Sequence, residues 1–309
     1  MFAHAQALTR EDGVIYMLGR RLRGEASVID LHTHSTVSDG TEPPARVVDL
    51  AAAAGCTAVA LTDHDRLDGL EEAADRAQTI GIRLVPGCEL SCVSATGGMH
   101  LLVYFVSATS QPLADSLTRL QRARDARNAV MVERLRQLGL PITAEELHAE
   151  AGGIGVGRPH MAAVLLRNGA VTSIEEAFDR YLAQGRPGYV DKERLTPPDA
   201  IALARASGGV AVLAHPLTLG LSWGGLDVAV RELAAHGLGG VEAVYARYSL
   251  EERSRLAAVA SSAGLATTGG SDFHGAYKPG LEIGLGYGDL AVGEELLLAL
   301  EDRRTRGGG

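Results

Sequence analysis

Short apolar runs alternate with amphipathic helical segments along most of this chain, and the alternation limits its fold more than any other feature. Strands that are separated by helical segments predict a parallel sheet with right-handed crossover connections. Roughly seven such units favour a barrel over an open sheet. The sequence therefore predicts an α/β barrel.

The pattern also predicts the individual elements of this barrel. The predicted strands cover residues 28–31, 57–62, 82–85, 100–106, 210–214, 240–244 and 266–269. The predicted helices between them cover residues 44–55, 69–81, 198–207, 228–236 and 250–264. The first helix carries a clear end signal, because glycine at position 55 favours the left-handed conformation that closes helices.

Between residues 107 and 189 the alternation gives way to helical patterns alone, at 114–138, 143–149, 158–168 and 173–183. This stretch holds 10 Lys and Arg against 9 Asp and Glu, a balance of +1, so the rest of the chain carries −10. The difference in charge indicates a helical insertion in a host barrel. The predicted parts are an N-terminal extension at 1–27, a first barrel part at 28–106, the insertion domain at 107–189, and a second barrel part with a C-terminal helix at 190–309.

Length and composition exclude several classes of protein. The chain has 309 residues, 46% of them apolar, which excludes intrinsic disorder as the main state. A net charge of −9 disfavours long nucleic acids as partners. Three cysteines, none in a C-x-x-C pair, favour a reduced, cytoplasmic setting. No apolar run approaches the ~20 residues that span a bilayer, and residues 1–27 lack a signal-peptide core.

Potential metal ligands gather where the predicted strands end. His32 and His34 stand at positions i and i+2 of the first strand and its end, so both imidazoles point to one face. Asp272 and His274 repeat this spacing after the last strand. The complete set is His32, His34, Asp39, His64, Glu89, His100, His215, Asp272 and His274. In α/β barrels the carboxyl ends of the strands form one rim, where catalytic groups gather.

A lone histidine at a strand end is more often a structural residue than a metal ligand. A whole set on one rim is different, because six imidazoles and three carboxylates without metal would be desolvated and would repel one another. Imidazole and carboxylate without cysteine suit zinc, manganese or iron. We expect about two to three divalent ions, since these ligands exceed what one ion uses.

The charge of such a centre indicates a class of substrate. Three divalent ions would bring +6 against −3 from Asp39, Glu89 and Asp272, which leaves about +3. This balance favours a multiply charged anion. Phosphate fits, because two or three close ions are the usual arrangement for in-line attack of an activated water on phosphorus.

The motifs that carry these residues form an ordered and specific set. They are H-T-H-S-x-x-S-D-G at 32–40, T-D-H-D at 62–65, G-C-E-L-S at 87–91, His100, A-H-P at 214–216 and S-D-x-H at 271–274. The set resembles the PHP (polymerase and histidinol phosphatase) superfamily over residues 28–290, nearly the whole chain. The resemblance implies a distorted seven-stranded (β/α) barrel with a trinuclear metal site, here with a helical insertion.

The resemblance also divides the ligands among three ions. By the family pattern, His32, His34, Glu89 and Asp272 would hold the first ion. Glu89, as a bridge, would hold the second together with His100 and His215. Asp39, His64 and His274 would hold the third. No ligand position departs from the pattern.

Within the superfamily, the insertion with G-R-P-H-M-A at 157–162 is similar to the TrpH-like phosphoesterase branch. That branch includes nucleoside 3′,5′-bisphosphate phosphatases and a relative that trims RNA from the 5′ end. The resemblance assigns Arg158 and His160 to contacts with substrate phosphate. A glycine-rich turn that opens a helix favours anion contact through free N–H groups. The alternative is a helix start that only needs proline near its first position.

Several further residues have two interpretations. Asp63 and Asp65 flank a candidate ligand, and either orient imidazoles or cap the following helix. Lys192 and Arg186 lie where the insertion rejoins the barrel and are candidates for binding a second phosphate. The six arginines of residues 119–136 either line an RNA channel or form a solvated helix face.

The expected activity is that of a metal-dependent phosphomonoesterase for a small nucleotide, acting on the 3′-phosphate of nucleoside 3′,5′-bisphosphates. Three alternatives stay open. They are a 5′–3′ exoribonuclease for short RNA, a phosphatase or cyclic phosphodiesterase for another small phosphate ester, and a non-catalytic module that supports a partner. The complete ligand set disfavours the non-catalytic module, and the acidic net charge disfavours the nuclease.

Overall fold

The computed structural model describes residues 28–94, 97–107, 110–152 and 155–307. Seven strands form one sheet, in which each strand pairs with the next along the chain. They are β1 (Val28–Thr33), β2 (Cys56–Leu61), β3 (Arg83–Ser94), β4 (Gly97–Tyr104), β5 (Val210–Leu213), β6 (Gly240–Tyr245) and β7 (Ala266–Gly270). The N-terminal extension predicted for residues 1–27 lies outside the described residues.

The first and last strands of the sheet meet and nearly close the barrel. The N–H of Asp272 donates to the carbonyl of His32 at 2.8 Å, and the N–H of His34 donates to the carbonyl of Phe273 at 2.9 Å. Gly270 permits this approach, because a Cβ atom there would lie 2.5 Å from the Cβ of His32. The predicted seven-stranded barrel is confirmed.

The prediction of a wholly parallel sheet is wrong at one strand. β4 runs antiparallel to both β3 and β5, whereas the other neighbouring strands are parallel. Only two residues separate β3 from β4 in the sequence, which is too few for a crossover and requires a reversal of direction. The first half of β4, which carries His100, therefore lies at the same edge as the carboxyl ends of the parallel strands.

β3 is also longer than the strand predicted at 82–85. It extends to Ser94 because β4 pairs with its second half, from Gly87 opposite Tyr104 onward. Glu89 was expected to follow the third strand. It lies inside β3 instead.

Helices surround the barrel and build the insertion. They are α1 (Pro44–Ala53), α2 (Leu70–Ile80), α3 (Gln111–Gln137), α4 (Ala144–Glu150), α5 (Arg158–Arg167), α6 (Ile174–Ala177), α7 (Pro197–Ala206), α8 (Trp223–Ala235), α9 (Leu250–Ser262) and α10 (Glu294–Gly307). The single helix predicted at 173–183 is divided, because a π-helical turn over Phe178–Leu182 follows α6.

Two clusters of buried apolar side chains form the core. The larger one lies in the barrel and under its helices, and it includes Leu113 and Leu117 from the first half of α3. The smaller one contains Met131 and Leu135 from the second half of α3, packed with Met161 of α5. α3 thus connects the two clusters. A separate helical core supports the division that we propose, with an insertion at residues 107–189.

One neighbour of the predicted metal site lies in the apolar core. The thiol of Cys88, beside Glu89, is fully buried, and burial raises its pKa well above the usual range. Cys88 therefore behaves as a small apolar residue of the core, as expected of a buried thiol. Among the described residues, no helix is long and apolar enough to cross a bilayer.

Candidate metal centre

The carboxyl edge of the barrel gathers all nine predicted ligands into one group of side chains, called the metal cluster below. β1 and its end present His32 and His34, whose Nε2 atoms lie 3.1 Å apart. The Oδ1 atom of Asp272, in the turn after β7, lies 3.4 Å from both nitrogens. Together with Glu89, these residues have ligand atoms within 4.8 Å of one another. They are the residues predicted to hold the first ion.

Glu89 lies in the middle of the metal cluster. Its Oε2 atom is 3.1 Å from the Nε2 atoms of both β1 histidines and 3.3 Å from Nδ1 of His64. Its Oε1 atom is 2.9 Å from Nδ1 of His100 and 2.9 Å from Nε2 of His215. The same two imidazole nitrogens lie 3.4 Å apart. One carboxylate therefore faces five imidazoles, which suits a ligand shared between two ions.

A further group within the metal cluster surrounds Asp39. Its Oδ1 atom lies 3.3 Å from Nε2 of His274, and its Oδ2 atom lies 3.8 Å from Nε2 of His64. These three residues and His34 have ligand atoms within 4.8 Å of one another. The residues predicted for the third ion are thus brought together, with His34 next to them.

The backbone is strained where it delivers some of these ligands. His215, directly after β5, has a φ of 26°, and Asp272 has a φ of 57°. Left-handed conformations at residues other than glycine cost about 1–3 kcal/mol and persist only where the surroundings impose them. At both positions the unusual turn accompanies a side chain that belongs to the metal cluster.

The electrostatics keep the carboxylates of the cluster ionised. Burial opposes the charge of Glu89, but the imidazoles that surround it, including those of His100 and His32, hold its pKa well below the usual range. Burial lowers the pKa of His64 to about 3, although Glu89 and Asp39 oppose this shift. His34 differs, because hydrogen bonds to Asp272 and Glu89 raise its pKa to about 9 although burial opposes this shift. A bound ion requires the neutral form of each imidazole, so metal binding at this cluster would release protons.

The donor set fits divalent cations. Oδ1 of Asp39 and Nδ1 of His64 are buried and lie 3.3 Å from His274 and Glu89, respectively, but neither atom makes a well-directed hydrogen bond within the described part of the chain. Unpaired buried polar atoms are rare and usually indicate an ion or a water. Imidazole and carboxylate donors in this number match zinc, manganese or iron. The cluster is therefore able to hold metal, and the division of its ligands among three ions stays a prediction.

Sequence reasoning missed the side chains that support these ligands from behind. Oε1 of Glu242, in β6, lies 2.8 Å from Nδ1 of His32. The hydroxyl of Tyr245 donates to Oδ2 of Asp272 at 2.8 Å, and Nζ of Lys278 donates to the carbonyl of Asp272 at 3.0 Å. A signal existed for Glu242, because it is the only charged residue in the apolar run 240–244.

A cavity of about 180 Å³ adjoins the metal cluster, and three cluster residues line it, namely Asp39, His64 and His100. Five cationic side chains line this space, which is called the basic cavity below. They are Arg124, Arg127, Arg158, Lys192 and Arg194. Burial and the neighbours Arg124 and Arg158 lower the pKa of Arg127, a sign of crowded positive charge. The cavity is therefore suited to an anion.

Arg158 and His160, the two predicted phosphate contacts, have different surroundings. Arg158 lines both the basic cavity and the cavity over the metal cluster, and its guanidinium stands 5.7 Å from the ring of Phe178 and 5.6 Å from that of Tyr189. His160 is buried, and its Nδ1 accepts from the N–H of Gly157 at 2.9 Å, so it caps its own helix. Its predicted contact with phosphate stays a prediction.

Neither aspartate beside His64 hydrogen-bonds directly to an imidazole, but Asp63 reaches His34 through the hydroxyl of Ser38, which lies 3.4 Å from Nδ1 of His34. Capping of the following helix is wrong for both, because the N-cap of α2 is Gly69. Asp63 accepts from the hydroxyls of Ser35 at 2.7 Å and Ser38 at 2.6 Å, and thereby holds the loop before Asp39. Asp65 accepts from Arg124 at 2.5 Å and from Lys192 at 2.8 Å.

The sequence left two interpretations for the arginines of α3, namely an RNA channel or a solvated helix face, and the structure supports each for some of them. Arg124 and Arg127 are buried and line the basic cavity, whereas Arg119 and Arg122 are exposed on the outer face. Lys192 reaches the basic cavity as expected, but Arg186 is exposed and does not line it. A continuous channel along the six arginines is therefore not formed.

Comparison with known proteins agrees with this geometry. The family model of the PHP domain matches residues 30–187. A 5′–3′ exoribonuclease from Haemophilus influenzae is 35% identical over 246 residues, which cover 79% of this chain and 89% of that protein. A 3′,5′-nucleoside bisphosphate phosphatase from Chromobacterium violaceum is 32% identical over 264 residues, which cover 83% of this chain and 90% of that protein.

A solved structure extends the similarity to the fold. A protein from Bifidobacterium adolescentis, proposed to be a metal-dependent phosphoesterase, superposes with a TM-score of 0.80 at 30% identity. The superposition covers 90% of this chain and 97% of that protein. Barrel and insertion are therefore similar in both.

Proposed function

The chain belongs to the PHP family of metal-dependent phosphoesterases, and on this premise we propose that it removes the 3′-phosphate of nucleoside 3′,5′-bisphosphates. One observation carries the proposal: the basic cavity directly adjoins the metal cluster, and Arg158 lines both spaces. A substrate with two phosphates matches this pair of sites. The phosphatase relative from Chromobacterium violaceum supports the same substrate class.

The two phosphates would have different roles. Divalent ions held by the metal cluster would activate a water and neutralise the charge of the phosphoryl group that reacts. The second phosphate would lie in the basic cavity, where Arg158 offers charge-assisted hydrogen bonds, and Arg124 and Lys192, which also pair with Asp65, add further N–H donors. Binding energy at this remote group orients the reacting ester.

Exonucleolytic cleavage of short RNA is the second candidate, and the relative from Haemophilus influenzae favours it. An RNA with a 5′-phosphate also offers two neighbouring phosphates. The net charge of −9 and the exposed position of Arg186 and Arg122, away from the basic cavity, favour the small nucleotide instead.

A substrate screen with Mn²⁺ tests the proposal. The substrates are a nucleoside 3′,5′-bisphosphate, a nucleoside 3′-monophosphate, a cyclic phosphate and a short RNA with a 5′-phosphate. We expect phosphate release from the bisphosphate with a kcat/KM at least about 10-fold above that for the monophosphate, since one charged hydrogen bond contributes about 1.5–3 kcal/mol. Higher kcat/KM for release of mononucleotides from RNA would favour the exonuclease.

The preference for the bisphosphate should fall at alkaline pH. Burial, together with Arg124 and Arg127, lowers the pKa of Lys192 to about 8, although Asp65 opposes this shift. Lys192 therefore carries its charge below pH 8 and loses it above. We expect the ratio of kcat/KM for the bisphosphate to that for the 3′-monophosphate to fall about 10-fold between pH 7 and 9.

The ratio of the two kcat/KM values reports on the basic cavity alone, because protonation of groups in the metal cluster changes kcat/KM for both substrates by the same factor. The matched control is Lys192→Met, whose ratio should be low at pH 7 and should not change with pH. An equal fall of the ratio in this variant would show that a different group titrates.

A further inference from the structure

We infer that Glu242 is a positioning residue that controls two of the three predicted ion positions together. The inference takes the assignment of ligands to ions from the family resemblance and does not depend on the proposed substrate. Glu242 lies in the middle of β6, is completely buried, and does not line the cavity over the metal cluster. It therefore acts through other residues and not through contact with substrate.

Each oxygen of the Glu242 carboxylate holds a different ligand. Oε1 lies 2.8 Å from Nδ1 of His32, a predicted ligand of the first ion. Oε2 accepts from the backbone N–H of His215 at 2.7 Å, and His215 is a predicted ligand of the second ion. The two ligands come from strands that are not adjacent, β1 and the end of β5. One carboxylate thus connects the two ion positions.

The first contact decides the tautomer of His32. A carboxylate accepts only, so Nδ1 of His32 carries the proton and Nε2 presents its lone pair. Nε2 is the atom that faces Oε2 of Glu89 at 3.1 Å and Oδ1 of Asp272 at 3.4 Å. The contact therefore turns the electron pair of His32 toward the first ion position.

The second contact holds a strained turn. His215 has a φ of 26°, and its Nε2 lies 2.9 Å from Oε1 of Glu89. Because strained backbone needs an imposed geometry, the bond from its N–H to Glu242 keeps the imidazole aimed at the cluster. Within the described part of the chain, the hydrogen bonds of Glu242 reach neither Asp39, His64 nor His274, the ligands predicted for the third ion.

The variant Glu242→Gln preserves the size of the side chain but can satisfy only one of the two contacts, with His32 or with His215. Both neighbours of Glu242 need an acceptor, and an amide offers only one oxygen. The NH₂ group then either opposes the N–H of His215 or forces His32 into the other tautomer, which places a proton on the Nε2 that faces the cluster. The first result disturbs His215 at position two, and the second disturbs His32 at position one. Because Glu89 faces both imidazoles and is a predicted ligand of both ions, we expect metal binding to weaken at both positions.

The experiment measures Mn²⁺ binding by competition with a chelator, with the metal content read by elemental analysis. Wild-type protein should bind about three ions. In Glu242→Gln we expect two of them to bind about 10- to 100-fold more weakly, which is the usual effect of losing a carboxylate behind a metal-binding histidine. The third should stay within about threefold of wild type. Electron paramagnetic resonance should then report isolated Mn²⁺ where wild type shows coupled ions.

A matched control is Asp65→Asn, which removes another buried carboxylate. Its partners are Arg124, Lys192 and Ser91, none of which is a predicted ligand. Asparagine tolerates the φ of 53° at this position, so the backbone is preserved. The control should keep all its metal. Should Glu242→Gln not fold, Glu242→Asp replaces it, because the shorter side chain reaches only one partner and predicts the same selective loss.

Unchanged affinity at all positions in Glu242→Gln would overturn the inference. Equal weakening at all positions, or the same loss in Asp65→Asn, would overturn it too, because both indicate a general effect on folding or charge. Metal binding is measured without substrate. A failure of the substrate screen with three ions bound would therefore refute the proposed substrate and leave the result for Glu242 standing.

Discussion

Replacement of Glu89 by glutamine should abolish hydrolysis, with a loss of at least about 1,000-fold in kcat/KM. The carboxylate faces five imidazoles and is the residue predicted to bridge two ions. Glutamine has nearly the same shape, but one of its two terminal atoms is an NH₂ group that cannot bind a cation. Two ions would be disturbed by one substitution. Steady-state kinetics and elemental analysis on Mn²⁺-loaded protein measure the result.

The control for this prediction is Glu71→Gln, an exposed residue of α2, which should behave like wild type. We expect the metal content of Glu89→Gln to fall by at least about one equivalent. A Glu89→Gln variant that keeps a tenth of the wild-type turnover would contradict the bridging role. It would also contradict the ligand assignment implied by the family resemblance.

Replacement of Arg158 by methionine should lower kcat/KM for the bisphosphate about 30- to 1,000-fold. This range corresponds to about 2–4 kcal/mol, the cost of removing a charged hydrogen-bond partner from an enclosed site. The guanidinium of Arg158 stands beside the rings of Phe178 and Tyr189, so its fork is already oriented. Metal content should not change. Kinetics with the bisphosphate and the 3′-monophosphate measure the effect.

Arg167→Met provides the control, because Arg167 is an exposed arginine of the same helix and pairs with Glu150. It should stay within about twofold of wild type. The loss in Arg158→Met should be larger for the bisphosphate if Arg158 holds the second phosphate. Equal losses of kcat/KM on both substrates would indicate that Arg158 contacts the reacting phosphate instead of the second one. No loss on either would show that the turn at Gly157 only begins a helix.

The ligands could be predicted from the sequence because strand geometry is local. Side chains at i and i+2 of a strand point to one face whatever the strand pairs with, so His32 and His34 had to face the same side. Asp272 and His274 have the same spacing but lie in the turn after β7, where Asp272 has a φ of 57°, so the strand period does not explain why both reach the cluster. Parallel strands then end at one edge of a barrel, and this rule predicted that the histidines and carboxylates would meet.

The direction of β4 could not be predicted in the same way. The apolar run that follows His100 is equally compatible with a parallel and an antiparallel strand. The pairing of the strands decided the direction of β4, because β4 is antiparallel to both of its neighbours, β3 and β5. The prediction for His100 was nevertheless right about its edge, since the start of an antiparallel strand lies beside the ends of its neighbours.

The partners of buried charges were decided by tertiary structure alone. Asp65 was expected near imidazoles, yet it pairs with Lys192, 127 residues away. Glu242 is separated by 210 residues from His32. In α3, the helical period separates Arg124 and Arg127 from Arg119 and Arg122, but which face turns inward depends on the barrel beneath it.

The sequence by itself therefore determined the seven-stranded barrel, the helical insertion pattern and the identity of the cluster residues. All of these depend on periods of two or 3.6 residues and on motifs that are short in sequence. Only the tertiary structure decided which cations line the basic cavity and which carboxylates support the ligands from behind. Such contacts join residues far apart in the chain, and their geometry follows from strand register and helix packing, which no local pattern records.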